Sequence, residues 1–349
     1  MDAPEVPCNE PAESEYKCSD IGLTCVSLLV ALALGYLLPL HLLSAISLVF
    51  DVKSINPLTV SVSSCIGLIL AGYLFIDRVK TAYKCTLREP LPTLVGLKWA
   101  VLVAVIPYLV FLIESLLSFP SGYDAIAYHI DVAQKWLQNG TTHIDTTWGW
   151  KYSLPGNAEL PALFALAIGI PNAVAVGNLF AVVLLAGSVY LIAWYLTSGS
   201  VPSMLASLAA VTIPMVIYQS FQLYVDMFGT AFLVAAAALL LAGGTSSGTF
   251  HFLAGCSLGV ATGTKPVFWV YCALFVAIAF SALLKTRRRP TRIIALFVLG
   301  VLLSSGMWFF RALWETGNPI FPMAVSIGDV EVLPGYKKED ITPISYGLE

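Results

Sequence analysis

From Gly22 onward the chain reads as long apolar runs separated by short polar breaks. The runs fall near 23–49, 58–76, 98–118, 173–195, 203–220, 227–242, 251–264, 267–284 and 293–310. Apolar stretches of roughly 20 residues cross hydrocarbon as helices, because a helix satisfies its own backbone there. The runs are continuous rather than alternating, which argues against a membrane β-barrel. The pattern predicts an all-α, polytopic membrane protein with about nine transmembrane helices, the run at 251–264 being short for a span. Between 119 and 172 the chain is mixed: a polar loop, then a short apolar stretch at 160–170.

Composition agrees with this reading: 58% of the 349 residues are hydrophobic and 11% charged, where a soluble domain carries about a quarter charged residues. The net charge of −3 gives no argument for nucleic acid, since the few charges sit in loops. The loop charges instead set an orientation. Lys285, Arg287, Arg288, Arg289 and Arg292 mark one cytoplasmic loop, and Arg78, Lys80, Lys84, Arg88 and Lys98 another. Passing from inside at 98 to inside at 285 needs an even number of crossings, and six runs lie between. The count closes only if 160–170 lies along the outer surface as a juxtamembrane helix.

Four parts follow. Residues 1–22 form an acidic cytoplasmic tail, and 23–97 two helices with a basic cytoplasmic loop. Residues 98–322 form a transmembrane module with outer loop 119–172, and 323–349 a polar outer segment. The tail carries Asp2, Glu5, Glu10, Glu13, Glu15 and Asp20, unlike the positive start of a signal peptide. The seven cysteines are scattered without metal-ligand spacing and read as small apolar filler. No phosphate-binding loop, dinucleotide turn or zinc motif appears, which disfavours ATP-driven transport.

The polar residues worth arguing about gather on the outer face. In Gly122 to Gly140, Ile126, Ile130, Ala133 and Leu137 recur at helical spacing, with Asp124, Tyr128, Asp131 and Lys135 opposite. This is an amphipathic helix with Trp136 as an interfacial anchor and Asp124 as its N-cap. Asp124, beside a Tyr and His129, is also placed to accept a proton from an incoming hydroxyl. Glu159, in Asn157-Ala158-Glu159-Leu160-Pro161, is a second carboxylate for that site or a helix-start charge. Asp226, Lys265 and Arg311 stand at span ends. For the two cations, snorkelling competes with an anion site that holds a lipid-linked phosphate. Glu114 either lines the same site or tilts to the surface, and His41 reads as a packed histidine. Asn139-Gly140-Thr141 is a glycosylation sequon.

The order of these elements resembles the multi-spanning GT-C glycosyltransferases, including the protein mannosyltransferase and aminoarabinose-transferase relatives. The likeness covers 98–322, about two thirds of the chain. Gly122-Tyr123-Asp124 through Gly140 looks like the first juxtamembrane helix, and Asn157 to Pro161 like the start of the second. Tyr224-Val225-Asp226, Gly263-Thr264-Lys265 and Thr316 to Pro322 occur where bacterial members carry similar motifs. The resemblance implies inverting transfer from a polyprenyl-phosphate sugar, with or without a divalent cation, to a protein, lipid or glycan acceptor. Asp124 carries over as the catalytic acidic residue, the general base, and Lys265 as a donor-phosphate contact. Tyr128 and His129 would assist Asp124, with Glu159, Asp226 and Arg311 toward the substrate. Two departures stand out: Ala125 follows Asp124 where many members pair two acids, and two spans precede the module. Members usually continue with more helices or an outer domain, so a partner subunit supplying further helices is one expectation. The rival readings are a secondary transporter and an inactive scaffold module. A transporter places ionisable residues near the midplane in repeated halves, whereas here the charges sit at outer mouths.

Overall fold

The computed structural model describes residues 13–88, 95–244, 247–284 and 290–337. Every apolar run named above is helical. α1 (Glu13–Phe50) and α2 (Pro57–Arg88) both outrun their apolar cores. α1 starts within the stretch expected as a tail, and α2 carries Arg78, Lys80, Lys84 and Arg88 on a helical extension. At about 1.5 Å per residue, α2 is roughly 48 Å long against about 30 Å of hydrocarbon, so a basic end projecting beyond the apolar layer is helix rather than loop. The basic run at 285–289 lies outside the described residues; Arg292 opens α12.

The remaining helices are α3 (Val95–Leu117), α4 (Ile130–Asn139), α5 (Leu160–Ala167), α6 (Val176–Thr197), α7 (Ser200–Val211), α8 (Pro214–Phe221), α9 (Val225–Gly243), α10 (Gly248–Thr262), α11 (Val267–Leu284) and α12 (Pro290–Thr316). Among the described residues six helices are long and apolar enough to span: α1, α2, α3, α6, α9 and α12. α7 and α8 make a seventh if they count as one span, but they are bent by 60° where a single helix over 203–220 was expected. Pro214 explains the break, since it lacks the N–H and clashes with the preceding turn. α10 has 15 residues, and the described apolar part of α11 ends at Ile278. The chain is thus an all-α, multi-pass membrane protein by length and composition, with six to seven spans rather than nine meeting that test. α5, with eight residues, is too short to cross, in line with its separation from the count.

α10 is the centre of the bundle: every residue from Leu253 to Thr262 is buried, and it packs between α9 and α12. The approach to α12 is close because both helices present glycine. A Cβ on Gly255 would overlap the carbonyl oxygen of Phe297, one on Gly259 would lie 2.6 Å from that of Val301, and one on Gly300 would overlap that of Phe252. Gly35 and Gly67 play the same part where α1 crosses α2. Without a hydrophobic force between helices in lipid, such small-residue seams let dispersion do the work. α3, by contrast, is almost wholly exposed.

The loops of one end of the bundle are sewn together. Ile55 N–H donates to Gly140 O at 2.9 Å, Asn157 N–H to Gly263 O at 2.8 Å, and Ile144 N–H to Glu315 Oε2 at 2.7 Å. The connections α1–α2, α3–α6, α8–α9 and α10–α11 and the end of α12 therefore meet there. Past α12 a small antiparallel hairpin, β1 (Val325–Ile327) and β2 (Val330–Leu333), interrupts the all-helical pattern. Asn318 anchors it, its amide donating to Met323 O and Pro334 O.

The glycine seam gives a direct expectation. Gly255→Leu should weaken the folded bundle by about 3 kcal/mol through overpacking against backbone, read as a lowered melting temperature in detergent. Gly306→Ala, with open space at its Cβ, should melt with the wild type.

Candidate functional site

The loop after α3 is fixed first at Gly122. Its N–H donates to Gln222 Oε1 at 2.6 Å, and a Cβ there would lie 2.7 Å from the Tyr224 ring, so only glycine lets the two loops touch. Asp124 follows in helical backbone, and Ala125–His129 forms a π turn closed by the Ile130 N–H on Ala125 O. One extra residue per turn rotates everything before it against α4 by about 100°. As a result Tyr128, His129 and Ile130 are buried in succession, while Ile126 is exposed. This reverses the faces expected of a regular helix at 126 and 128; Ile130 and Ala133 keep theirs. Nor does Asp124 cap the turn with its side chain. Trp136 is buried and stacked on Trp308 at 5.3 Å, so it is a packing residue and not an interfacial anchor.

The second loop is held by Asn157, which is fully buried. Its Oδ1 meets His41 Nε2 at 2.8 Å and accepts from Trp308 Nε1 at 2.7 Å. Its amide donates to Ser304 O at 2.8 Å and Val260 O at 3.2 Å. One side chain thus ties the loop to α1, α10 and α12, and His41 is the packed histidine expected of it. Gly263 sits beneath, where a Cβ would overlap the Asn157 amide. Asn178, buried at the start of α6, does similar work for the α8–α9 turn: its amide donates to the carbonyls of Gln219, Gln222 and Tyr224 at 2.8–3.0 Å.

These anchors bring the sequence-predicted residues together around Tyr128. His129 Nδ1 and Glu159 Oε1 are 2.6 Å apart, both side chains buried. Asp226 takes Lys265 Nζ on both oxygens, at 2.9 and 3.0 Å, in a half-buried pair. Burial pushes the Tyr128 phenol well above its ordinary value, and the charges of Asp124, Glu159 and Asp226 push it further. Tyr128 is therefore a neutral hydrogen-bond donor near pH 7 and no base. Asp124 is partly exposed, and among the described residues its carboxylate makes no hydrogen bond or ion pair.

Lys151, absent from the sequence reading, stands over the Tyr128 ring at 4.4 Å. The flat cation–π contact leaves no pattern in sequence, and Lys151 reads there as one more loop charge. Asp131 and Lys135 pair across one helical turn at 2.8 Å, and the Tyr152 hydroxyl also donates to Asp131. These two form a structural strut rather than a merely solvated helix face.

Arg311 differs from both of its expected roles. It is fully buried and donates to the carbonyls of Ser153 and Leu154 at 2.8 Å and of Thr142 at 3.2 Å, with Trp308 against its face. It neither snorkels nor presents its terminal nitrogens to an anion; it holds the α3–α6 connection through three backbone carbonyls. Glu114 is exposed. Among the described residues no three His, Cys, Asp or Glu side chains group so as to hold a metal ion. Cys25, Cys65, Cys256 and Cys272 are free thiols.

Asn157→Ala should strip partners from Trp308, His41 and two buried carbonyls at a cost of roughly 2–4 kcal/mol, measured by thermal unfolding in detergent. For Tyr128 the sign is set by its neighbours: Asp124→Asn removes one of the charges that raise it. Its ionisation, taken as the ultraviolet difference against Tyr128→Phe, should then move to lower pH. Comparison with protein-family models, with curated proteins and with solved structures gives no match to this chain.

Proposed function

We propose that the chain is a membrane glycosyltransferase of the GT-C kind, moving a sugar from a polyprenyl-phosphate donor to an acceptor hydroxyl. In this reading the helical elements form nine crossings, α7–α8 counting as one, with the N-terminus cytoplasmic and the gathered loops on the outer or lumenal face. A single observation carries it. Asp124, Tyr128, His129, Glu159, Asp226 and Lys265 come from four separate stretches of chain and converge about one phenol. An outer-surface carboxylate with open oxygens beside a hydrogen-bond donor is what deprotonation of a hydroxyl requires.

Asp124 acts as general base on the acceptor hydroxyl, with Tyr128 and His129 assisting. The anomeric carbon–phosphate bond breaks as the new bond forms, and polyprenyl phosphate leaves with the electron pair. Lys265, already shared with Asp226, contributes positive charge toward that phosphate. Arg311 contributes by fixing the loop that carries Glu159.

Membranes holding the protein should transfer label from a panel of radiolabelled polyprenyl-phosphate sugars. Asp124→Asn should cut the rate by about a hundredfold or more at unchanged protein level. Equal transfer by the variant would remove Asp124 from the chemistry, and no transfer from any donor would remove the transferase reading.

A further inference from the structure

The His129–Glu159 pair has features that packing does not require. Its two members lie 30 residues apart within the α3–α6 connection, and both are buried at a 2.6 Å separation. Glu159 uses one oxygen on the imidazole; the other, Oε2, is buried without a partner. A buried carboxylate oxygen left unpaired costs free energy that an apolar pair would not. On the imidazole, Nδ1 is committed to Glu159, and Nε2 has no partner among the described residues. A carboxylate accepting from one ring nitrogen fixes the tautomer and aims the other.

The π turn supplies the connection to Asp124. In an α-helix residues five apart point about 140° apart, whereas a turn closed from i to i+5 stacks them. Asp124 precedes this turn and His129 ends it. The irregularity thus swings His129 onto the same side as Asp124, next to Tyr128, whose ring centroid lies 3.9 Å from its own.

We propose that Glu159 is a positioning residue that holds His129 as the Nδ1–H tautomer, so that Nε2 receives the proton Asp124 removes from the acceptor. This rests on the transferase reading and extends it. The hydroxyl oxygen bonds to the anomeric carbon, the carbon–phosphate-oxygen bond breaks, and its electron pair stays on the phosphate. The hydroxyl proton passes through Asp124 to Nε2, and Glu159 meets the resulting imidazolium at Nδ1. Asp124 is thereby returned to its ionised form within the site.

Histidine ¹⁵N spectra of the full chain in lipid nanodiscs test the positioning without any donor. Only four imidazoles need assignment, and His129 is the signal lost in His129→Gln. The expected wild-type result is a single Nδ1–H tautomer, giving way to a mixture in Glu159→Gln; an Nε2–H tautomer in the wild type would overturn the proposal even if neither variant folds. In transfer assays each variant should lose about tenfold to a hundredfold in kcat, with the donor KM within about twofold. The double variant should be no slower than His129→Gln alone, since the two act as one unit. Wild-type rates in Glu159→Gln, or multiplying losses in the double variant, would also sink it. Absence of wild-type transfer from every donor would end the proton role together with the transferase reading, and the tautomer spectrum tells that failure from a failure of the pair itself.

Discussion

The arrangement of this protein depends on one buried amide. Asn157 spends its oxygen on His41 and Trp308 and its nitrogen on two backbone carbonyls, so α1, α10 and α12 all close on the same side chain. Each partner is itself buried and would be costly to leave alone in a low-dielectric interior. An aliphatic side chain of the same volume could fill the space but could not satisfy four groups at once. The site's second loop has no freedom of register as a consequence: Glu159, two residues on, is placed by the amide before its own contacts are made.

Below that point the bundle is held by shape. α10 lies against α12 through Gly255, Gly259 and Gly300, close enough that any side chain would meet backbone oxygen. Such contact is rigid, which suits a scaffold whose Gly263 and Ser304 must meet Asn157 to within a few tenths of an ångström. Arg311 ties down the α3–α6 connection, converting a charge at a span end into three hydrogen bonds to carbonyls. The loop is therefore fastened from beneath by groups that never need to touch a ligand.

Above it the charges are arranged unequally. Asp226 is matched by Lys265, Asp131 by Lys135 and Glu159 by His129, while the Asp124 carboxylate makes no ion pair or hydrogen bond among the described residues. Tyr128, kept neutral by burial and by this acidic surround, supplies a donor in the middle. The π turn makes the grouping feasible, because an ordinary helix would have turned His129 away from Asp124. Local backbone irregularity and local polarity thus serve one arrangement.

The hydrophobic pattern alone determined that the chain is helical and crosses a membrane several times, since apolar length and the need to satisfy the backbone are local matters. It also marked Asp124, Tyr128, His129, Glu159, Asp226 and Lys265, because polar side chains at span ends are scarce enough to stand out. Pattern could not show that α10, short at 15 residues, is buried throughout from Leu253 to Thr262 between α9 and α12. Nor could it find the π turn, for a one-residue shift in hydrogen bonding leaves the periodicity of Ile126 and Ile130 intact while moving Ile126 outward. Arg311, Trp136 and Asn157 were legible only as types: a terminal cation, an aromatic, a loop amide. Their work depends on partners more than a hundred residues away in sequence, and such pairing is decided by how the helices pack.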